Sequence, residues 1–320
     1  MIYIDTGTID ACENFGAEYY FAAEKILDDE ILLLWRTSPT LMLGKYQNVF
    51  EEVDLDYARE KNISLVRRMS GGGTIYTDEG AVQYTFIGAG NEEIEFERYM
   101  LPVIGVLQGL GIPAERDGRN DIVACGRKVS GNAQFKLAGR TVHHGSLLFS
   151  ADLSEMDRAT RLPEYKITSK SIKSVRERVR NMCELTNAVK TSEEFAEALR
   201  EKLSDKVYVL TEEDRRRIRE LAEEKFRVDV TGNTSAFDFE KVCAFDAGRV
   251  IVGLKVKRGI VTEASVRGDF FAAGGTETLT DALTGTKFEK NAIYGAVISS
   301  GFSAYGINAA SLAEELTKGI

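Results

Sequence analysis

The chain has 320 residues, 43% of them hydrophobic and 28% charged, the make-up of a soluble globular protein of about two domains. Its net charge of −9, from 41 Lys+Arg against 50 Asp+Glu, excludes a general nucleic-acid binder, which needs a basic face. With only two His, and with Cys12, Cys125, Cys183 and Cys243 scattered and no C-x-x-C, zinc-ribbon, thioredoxin-like and disulfide-scaffold readings fail, and a reducing compartment fits.

The opening MIYIDTGTID has no basic segment leading into an apolar run. The longest aliphatic and aromatic run, Ile31–Trp35, is far short of the ~20 residues that span a bilayer. A cytoplasmic protein away from the membrane is expected. Glu13–Asp28 reads as a helix, with Phe15, Tyr19, Ala22, Ala23, Ile26 and Leu27 on one stripe. Ile31–Arg36 and Thr40–Leu43 read as strands around Ser38-Pro39. Leu65–Met69, Thr74–Thr77 and Val82–Ile87 read as strands around a glycine turn. Tyr99–Leu110 is a helix ending at Gly111, and Ile122–Cys125, Val129–Lys136 and Thr141–Phe149 are further strands. Thr191 with Glu194 opens a helix over Ser192–Leu203, and Thr211 with Asp214 opens another running to Lys225. Asp229–Ser235 is the best linker candidate. Beyond it, Val250–Lys257 and Ile260–Arg267 flank the hairpin signal Arg258-Gly259, and a last helix starts at Ser311 with Glu314 as its box partner. The mixed order of elements predicts an α+β fold, with mixed and antiparallel sheets packed by helices, rather than a doubly wound sheet. The expected boundary near residue 240 divides a domain of residues 1–240 from a small α+β domain of residues 241–320.

Three segments carry chemistry. In Arg67-Arg68-Met69-Ser70-Gly71-Gly72-Gly73-Thr74-Ile75-Tyr76, adjacent glycines permit a sharp turn and close approach to a ligand. Their N–H groups can form an anion-binding concavity, with Arg68 as a forked donor, or the loop can simply be a tight hairpin. It is neither a P-loop nor a dinucleotide fingerprint. In Arg119–Gln134, Lys128 lies between Gly126 and Ser130-Gly131-Asn132, where an ammonium could meet phosphate charge. Asp121 is either a Mg²⁺ ligand or a turn cap. In Arg140–Phe149, His143 and His144 are adjacent on a strand and point to opposite faces, so they are poor joint metal ligands. A buried structural role is the expected one for Cys125 and Cys183.

Together, in this order, the segments resemble the lipoate–protein ligase A family of the biotin/lipoate ligase superfamily. The matching pieces are Arg67-Arg68-Met69-Ser70-Gly71-Gly72-Gly73, Arg119-Asn120-Asp121 with Lys128-Val129-Ser130-Gly131-Asn132-Ala133, and His143-His144-Gly145-Ser146-Leu147-Leu148. Leu34-Trp35-Arg36, Gly44-Lys45-Tyr46-Gln47-Asn48 and Ile172–Val179 also agree, and Gly268-Asp269-Phe270-Phe271 resembles the family's accessory domain. The chain departs from the pattern in having no Trp near Phe226–Gly232 and in carrying Lys45 where many members have Arg.

The resemblance implies a biotin/lipoate ligase-like catalytic domain with an accessory domain. It implies ATP-dependent activation of lipoate to lipoyl-AMP, with release of pyrophosphate. Transfer follows to a lysine of lipoyl domains, in 2-oxoacid dehydrogenase E2 subunits or the glycine cleavage H protein. By the same resemblance Arg68, Ser70, Gly71, Gly72, Gly73, Thr74, Ile75 and Tyr76 bind the nucleotide. Lys128 contacts phosphate and the lipoyl carbonyl, Asp121 is the Mg²⁺ ligand, and His143 lines the lipoyl tunnel. ATP and lipoate are substrates, no tightly bound prosthetic group is expected, and neither is nucleic acid or a second copy of the chain. The alternatives are an ATP-independent lipoyl or octanoyl transferase using a Cys thioester, and a non-catalytic acyl-adenylate binder. A biotin ligase is disfavoured because its Arg/Gly-rich loop is missing. Finally, residues 158–180 hold eight Lys/Arg against two Glu, a local net of +6 that would suit closure over the adenylate and an acidic acceptor.

Overall fold

The computed structural model describes residues 1–90, 94–160, 178–230, 237–272 and 274–319. Most of the basic stretch, including Arg176, and most of the predicted linker lie outside the described residues. The chain forms two compact units. Unit 1 comprises Met1–Leu43, Val49–Arg68 and Thr74–Val230, and unit 2 comprises Gly44–Asn48, Met69–Gly73 and Thr231–Ile320.

Unit 1 is built on an eight-stranded mixed sheet. Its order is Lys206–Tyr208 (β11), Ile2–Ile4 (β1), Ile31–Trp35 (β2), Ala81–Ala89 (β6), Arg140–Leu148 (β10), Arg127–Leu137 (β9), Asp121–Ala124 (β8) and Ala114–Asp117 (β7). β1 runs parallel to both β2 and β11, and the other pairs are antiparallel. The unbroken apolar run of β2 is buried at every position, as expected of a central strand covered on both faces. A second sheet sets Thr40–Leu43 (β3) between Ser64–Arg67 (β4) and Ile75–Thr77 (β5). The glycine loop joins β4 to β5 along the chain.

Two-residue hairpins share one turn chemistry. Cys125-Gly126, Ala138-Gly139 and Arg258-Gly259 all hold positive φ at both positions, the primed geometry that matches strand twist. Arg258-Gly259 is the turn read from the sequence, and it pairs Gly248–Lys257 (β13) with Ile260–Gly268 (β14).

Helix boundaries moved where long-range partners intervene. The first helix spans Ala11–Tyr19, capped by Asp10, and widens into a π-turn over Tyr20–Glu24. It stops short of Asp28 because Lys25 leaves the helix to pair with Asp214 at 2.7 Å, and the predicted stripe residue Ile26 is 63% exposed. The helix read as Tyr99–Leu110 begins at Phe96. The Thr211–Asp214 capping box forms as expected. Thr191 also caps its helix, but Glu194 reaches the amide of Lys190 instead of closing the box.

Unit 2 contains a meander of Phe239–Phe245 (β12), β13 and β14, packed by helices Glu277–Leu283, Lys290–Ser299 and Ala309–Leu316. The last helix starts two residues before Ser311. Asn308 and Ser311 form the box, each side chain meeting the other's amide, and Glu314 is not its partner. No helix among the described residues is long and apolar enough to cross a membrane.

Candidate functional site

In unit 1, Lys128 and Asp121 come together. The tight Cys125-Gly126 turn folds β9 back on β8, and a bulge at Ile122/Val123 shifts the register so that Lys128 faces Val123 and Gly131 faces Asp121. The Lys128 ammonium then sits 2.7 Å from Asp121 Oδ1, with both side chains about one-third exposed. Its stem lies over Gly131, where a Cβ would come within 3.1 Å of Lys128 Cε and Nζ. The small residue in Ser130-Gly131-Asn132 therefore makes room for Lys128.

Asn132, the residue after Gly131, ties this part of β9 to Asn120 and His143. Its amide and carbonyl exchange hydrogen bonds with Asn120, and its Oδ1 accepts from Tyr84 and from His143 Nε2 at 3.2 Å. Burial pushes the His143 imidazole well below its ordinary pKa, and the charge on His144 adds to this. The ring is therefore neutral, and it donates to Asn132 through Nε2. Tyr99, Tyr84, Phe86 and Phe96 surround it, with the Tyr99 ring stacked at 4.9 Å. His144 faces the other way, toward Phe15, Phe135 and the buried Glu18, whose carboxylate its Nδ1 meets at 3.1 Å. The opposed histidines of the sequence reading are observed. No group of three potential metal ligands occurs among the described residues. Asn120, Asn132, Tyr84 and Tyr99 were not singled out from the sequence. The two Asn stood in the motifs, but their mutual bonds depend on strand register.

Arg68 is buried in unit 1 and donates to the Met42 carbonyl at 2.8 Å. Burial, then neighbouring Arg67, lowers its guanidinium pKa to about 10, so it remains a cation at neutral pH. Thr74 and Ile75 are half-buried, and the Tyr76 ring packs into a small core with Leu41, Leu43 and Val49. Tyr76 can therefore offer a ligand its backbone but not its ring.

The remaining loop residues, Ser70, Gly71, Gly72 and Gly73, belong to unit 2. Gly72, at φ +89, donates its N–H to the Phe270 carbonyl at 3.3 Å. A Cβ on Gly71 would lie 2.0 Å from that same oxygen, and one on Gly44 would lie 2.0 Å from Gly72 O. Both glycines are thus required by the chain's own backbone. A Cβ at Gly73 would meet nothing within 4 Å. Ser70 is fully buried, and its carbonyl accepts from Lys45 N at 2.8 Å.

A polar cleft of about 720 Å³ opens in unit 1 beside the start of β9, lined by residues that include Arg127, Val179, Arg180, Asp78 and Asp152. Its charge is mixed, and Arg180 pairs with Glu184 at 3.2 Å. Cys125 and Cys183 are exposed, which corrects the expectation of buried structural cysteines. Cys125 occupies the first position of the tight turn between β8 and β9, at φ +51. Burial of its sulfur, then the charge of Glu184, raises the pKa of the Cys183 thiol, the reverse of an activated nucleophile.

Residues 10–204 match the lipoyl protein ligase A/B catalytic domain, and residues 234–316 match the bacterial lipoate protein ligase C-terminus. The chain belongs to the lipoate–protein ligase family. It is 34% identical over 305 residues to the lipoate–protein ligase LplJ of Bacillus subtilis, covering 92% of each chain. It is 36% identical over 294 residues to lipoate–protein ligase 1 of Staphylococcus aureus, covering 89% of this chain and 90% of that one. Among solved structures, Plasmodium falciparum LipL1 in complex with lipoate superposes with a TM-score of 0.78 at 21% identity, over 99% and 98% of the two chains. A lipoate–protein ligase A bound with ATP gives a TM-score of 0.58 at 23% identity, over 70% of this chain and 93% of that one. The α+β fold expected from the sequence is that of these lipoate–protein ligases.

Proposed function

We propose that this lipoate–protein ligase works by two-step adenylation, with Lys128 as the catalytic cation. A lipoate carboxylate oxygen attacks the α-phosphorus of ATP. The bond to the β-phosphate oxygen breaks, and pyrophosphate leaves. The ε-amine of an acceptor lysine then attacks the lipoyl carbonyl. The carbonyl–oxygen bond to AMP breaks, the amine loses a proton, and an amide remains. Carboxylates are poor electrophiles, and the adenylate supplies the leaving group.

The observation that carries this reading is the Lys128–Asp121 pair seated over Gly131. It holds a cation at a fixed place, which is what a developing phosphate charge requires. Gly73-Thr74-Ile75-Tyr76 contribute backbone groups toward the nucleotide, and Arg68 contributes charge from the interior. The neutral, aromatic-walled His143 suits an apolar lipoyl chain. Mg²⁺ in such sites takes one or two carboxylates plus substrate phosphates. Asp121 is the carboxylate that fits, being part-exposed and beside Lys128, and the ion would neutralise phosphate charge. Residues 1–240 form the catalytic domain in this reading and residues 241–320 the accessory domain, in a monomer of the cytoplasm. The acceptors are lipoyl domains. A bipartite lipoate protein ligase of Thermoplasma acidophilum, described as part of a lipoylation system with its E2 lipoyl domain and 26% identical with a TM-score of 0.60, supports that choice.

Lipoate-dependent ATP–pyrophosphate exchange tests the proposal across a panel of carboxylic acids. The wild-type chain should exchange with lipoate, and Lys128→Ala should lose about 10²–10³-fold while remaining folded. Near-normal exchange in Lys128→Ala would overturn the assignment. Exchange should also survive Cys125→Asn with Cys183→Ala. Its absence, with an acyl-enzyme trapped on Cys125 or Cys183, would favour the transferase.

A further inference from the structure

The glycine-loop residues Met69–Gly73 are held by a segment of unit 2 that lies about two hundred residues further along the chain. Gly268-Asp269-Phe270-Phe271 starts at the last residue of β14 and is itself held in place by the contacts of Gly268, Asp269 and Phe270. Gly268 sits at φ +144 with Arg249 O only 2.1 Å from a would-be Cβ, a site open to glycine alone. Asp269 Oδ1 accepts from the Arg249 amide at 2.7 Å. The Phe270 ring is fully buried, meeting Phe302 edge-on at 5.7 Å.

On its other face Phe270 stacks on Tyr46, with centroids 4.7 Å apart and planes 9° from parallel. Tyr46 belongs to the Gly44–Asn48 loop, accepts from Gly268 N at 2.8 Å, and donates its hydroxyl to Gly274 O at 3.1 Å. That loop in turn grips the glycine loop, Lys45 N donating to Ser70 O at 2.8 Å. The Phe270 carbonyl completes the arrangement by accepting from Gly72 N–H. Three segments distant in sequence thus form one packed joint in unit 2.

We infer that Tyr46 and Phe270 are positioning residues for the nucleotide loop. The ring stack fixes the Gly44–Asn48 loop and the Phe270 carbonyl, and these together set the path of residues 69–73 as the chain enters Thr74-Ile75-Tyr76. An ordered loop meets the nucleotide without bearing the ordering cost at that moment. This inference rests on the proposed nucleotide role of the glycine loop.

The test measures KM for ATP and KM for lipoate by pyrophosphate exchange, with the melting temperature, in the full chain. Tyr46→Ala removes the stack at the rim of the core, and Gly71→Ala forces its Cβ onto the Phe270 carbonyl without deleting any side chain. Both should raise KM for ATP about tenfold, with KM for lipoate within about twofold of wild type. Tyr46→Phe keeps the ring and should return KM for ATP to within about threefold. An unchanged KM for ATP in Tyr46→Ala and Gly71→Ala, with both folded, overturns the inference. So does an equal rise in both KM values, which would mark a general loss of structure. Absence of lipoate-dependent exchange in the wild-type chain would instead sink the underlying proposal.

Discussion

Gly131→Ala perturbs Lys128 without removing any functional group. Gly131 lies in β9 outside the left-handed region, so alanine is admissible there on backbone grounds. The new Cβ would stand 3.1 Å from Lys128 Cε and Nζ. Ordinary carbon contacts are about 3.5–4.0 Å, so the ammonium must withdraw by several tenths of an ångström. Misplacing a catalytic group by about 1 Å costs on the order of 10²-fold in rate, so a shift of half that predicts about tenfold, or ~1.4 kcal/mol of barrier. Replacing glycine in a strand gains about 0.5–1 kcal/mol of backbone entropy, so the melting temperature should hold or rise. The assay is single-turnover adenylation at saturating ATP and lipoate, with thermal unfolding alongside. Gly131→Val, with its two γ-carbons, should lose more. A rate within twofold of wild type in Gly131→Ala at unchanged melting temperature would refute the assignment of that space to Lys128.

Asp214→Asn should destabilise the chain by about 3 kcal/mol, because it breaks a buried charge pair, and denaturant unfolding measures it. Burial alone would raise the Asp214 carboxyl, but Lys25, the Thr211 amide, Tyr20 and Tyr208 all donate to it and hold it well below its usual range. Its stabilisation is therefore full above the unfolded value of about 3.9 and is lost as pH falls toward the depressed folded value, so the gap between wild type and Asp214→Asn should close in acid. Asn308→Ala should cost about 1 kcal/mol as a lost helix cap and Glu314→Ala close to none, by the same measurement. The His143 imidazole resonance should stay flat from about pH 8 to pH 5.5, because burial holds the ring neutral; a midpoint within that window would contradict its enclosure.

What the sequence made legible was local or periodic. The buried strand Ile31–Trp35, the Arg258-Gly259 turn and the Thr211–Asp214 box each depend on residues a few positions apart, and each forms. The first helix was read too long because its end is set by Asp214, almost two hundred residues away and invisible to a 3.6-residue period. The short strands β1, β7 and β11, of three or four residues, carry too few alternations to register. At the candidate site, Lys128 and Asp121 could be named as candidates. Their ion pair could not, because it depends on a bulge that brings Gly131, not Ser130, opposite Asp121.

The glycines show the same division. A run of three reads as a ligand cradle because only glycine lets a backbone approach so closely. Close approach, however, has two possible beneficiaries. At Gly71 and Gly44 the approaching atoms are the chain's own carbonyls, at 2.0 Å from a would-be Cβ, and at Gly131 they are the Lys128 side chain. Within the run, a would-be Cβ on Gly73 meets no atom within 4 Å, unlike one on Gly71, while Gly72 holds the positive φ. The three residues therefore divide the work: Gly71 admits the Phe270 carbonyl, Gly72 turns the chain and bonds to it, and Gly73 leads into the strand that would meet the nucleotide. On that division Gly73→Ala should perturb ATP use least through the fold and most through the ligand, whereas Gly71→Ala should act through the loop's anchorage. Equal losses of melting temperature in the two variants would refute it.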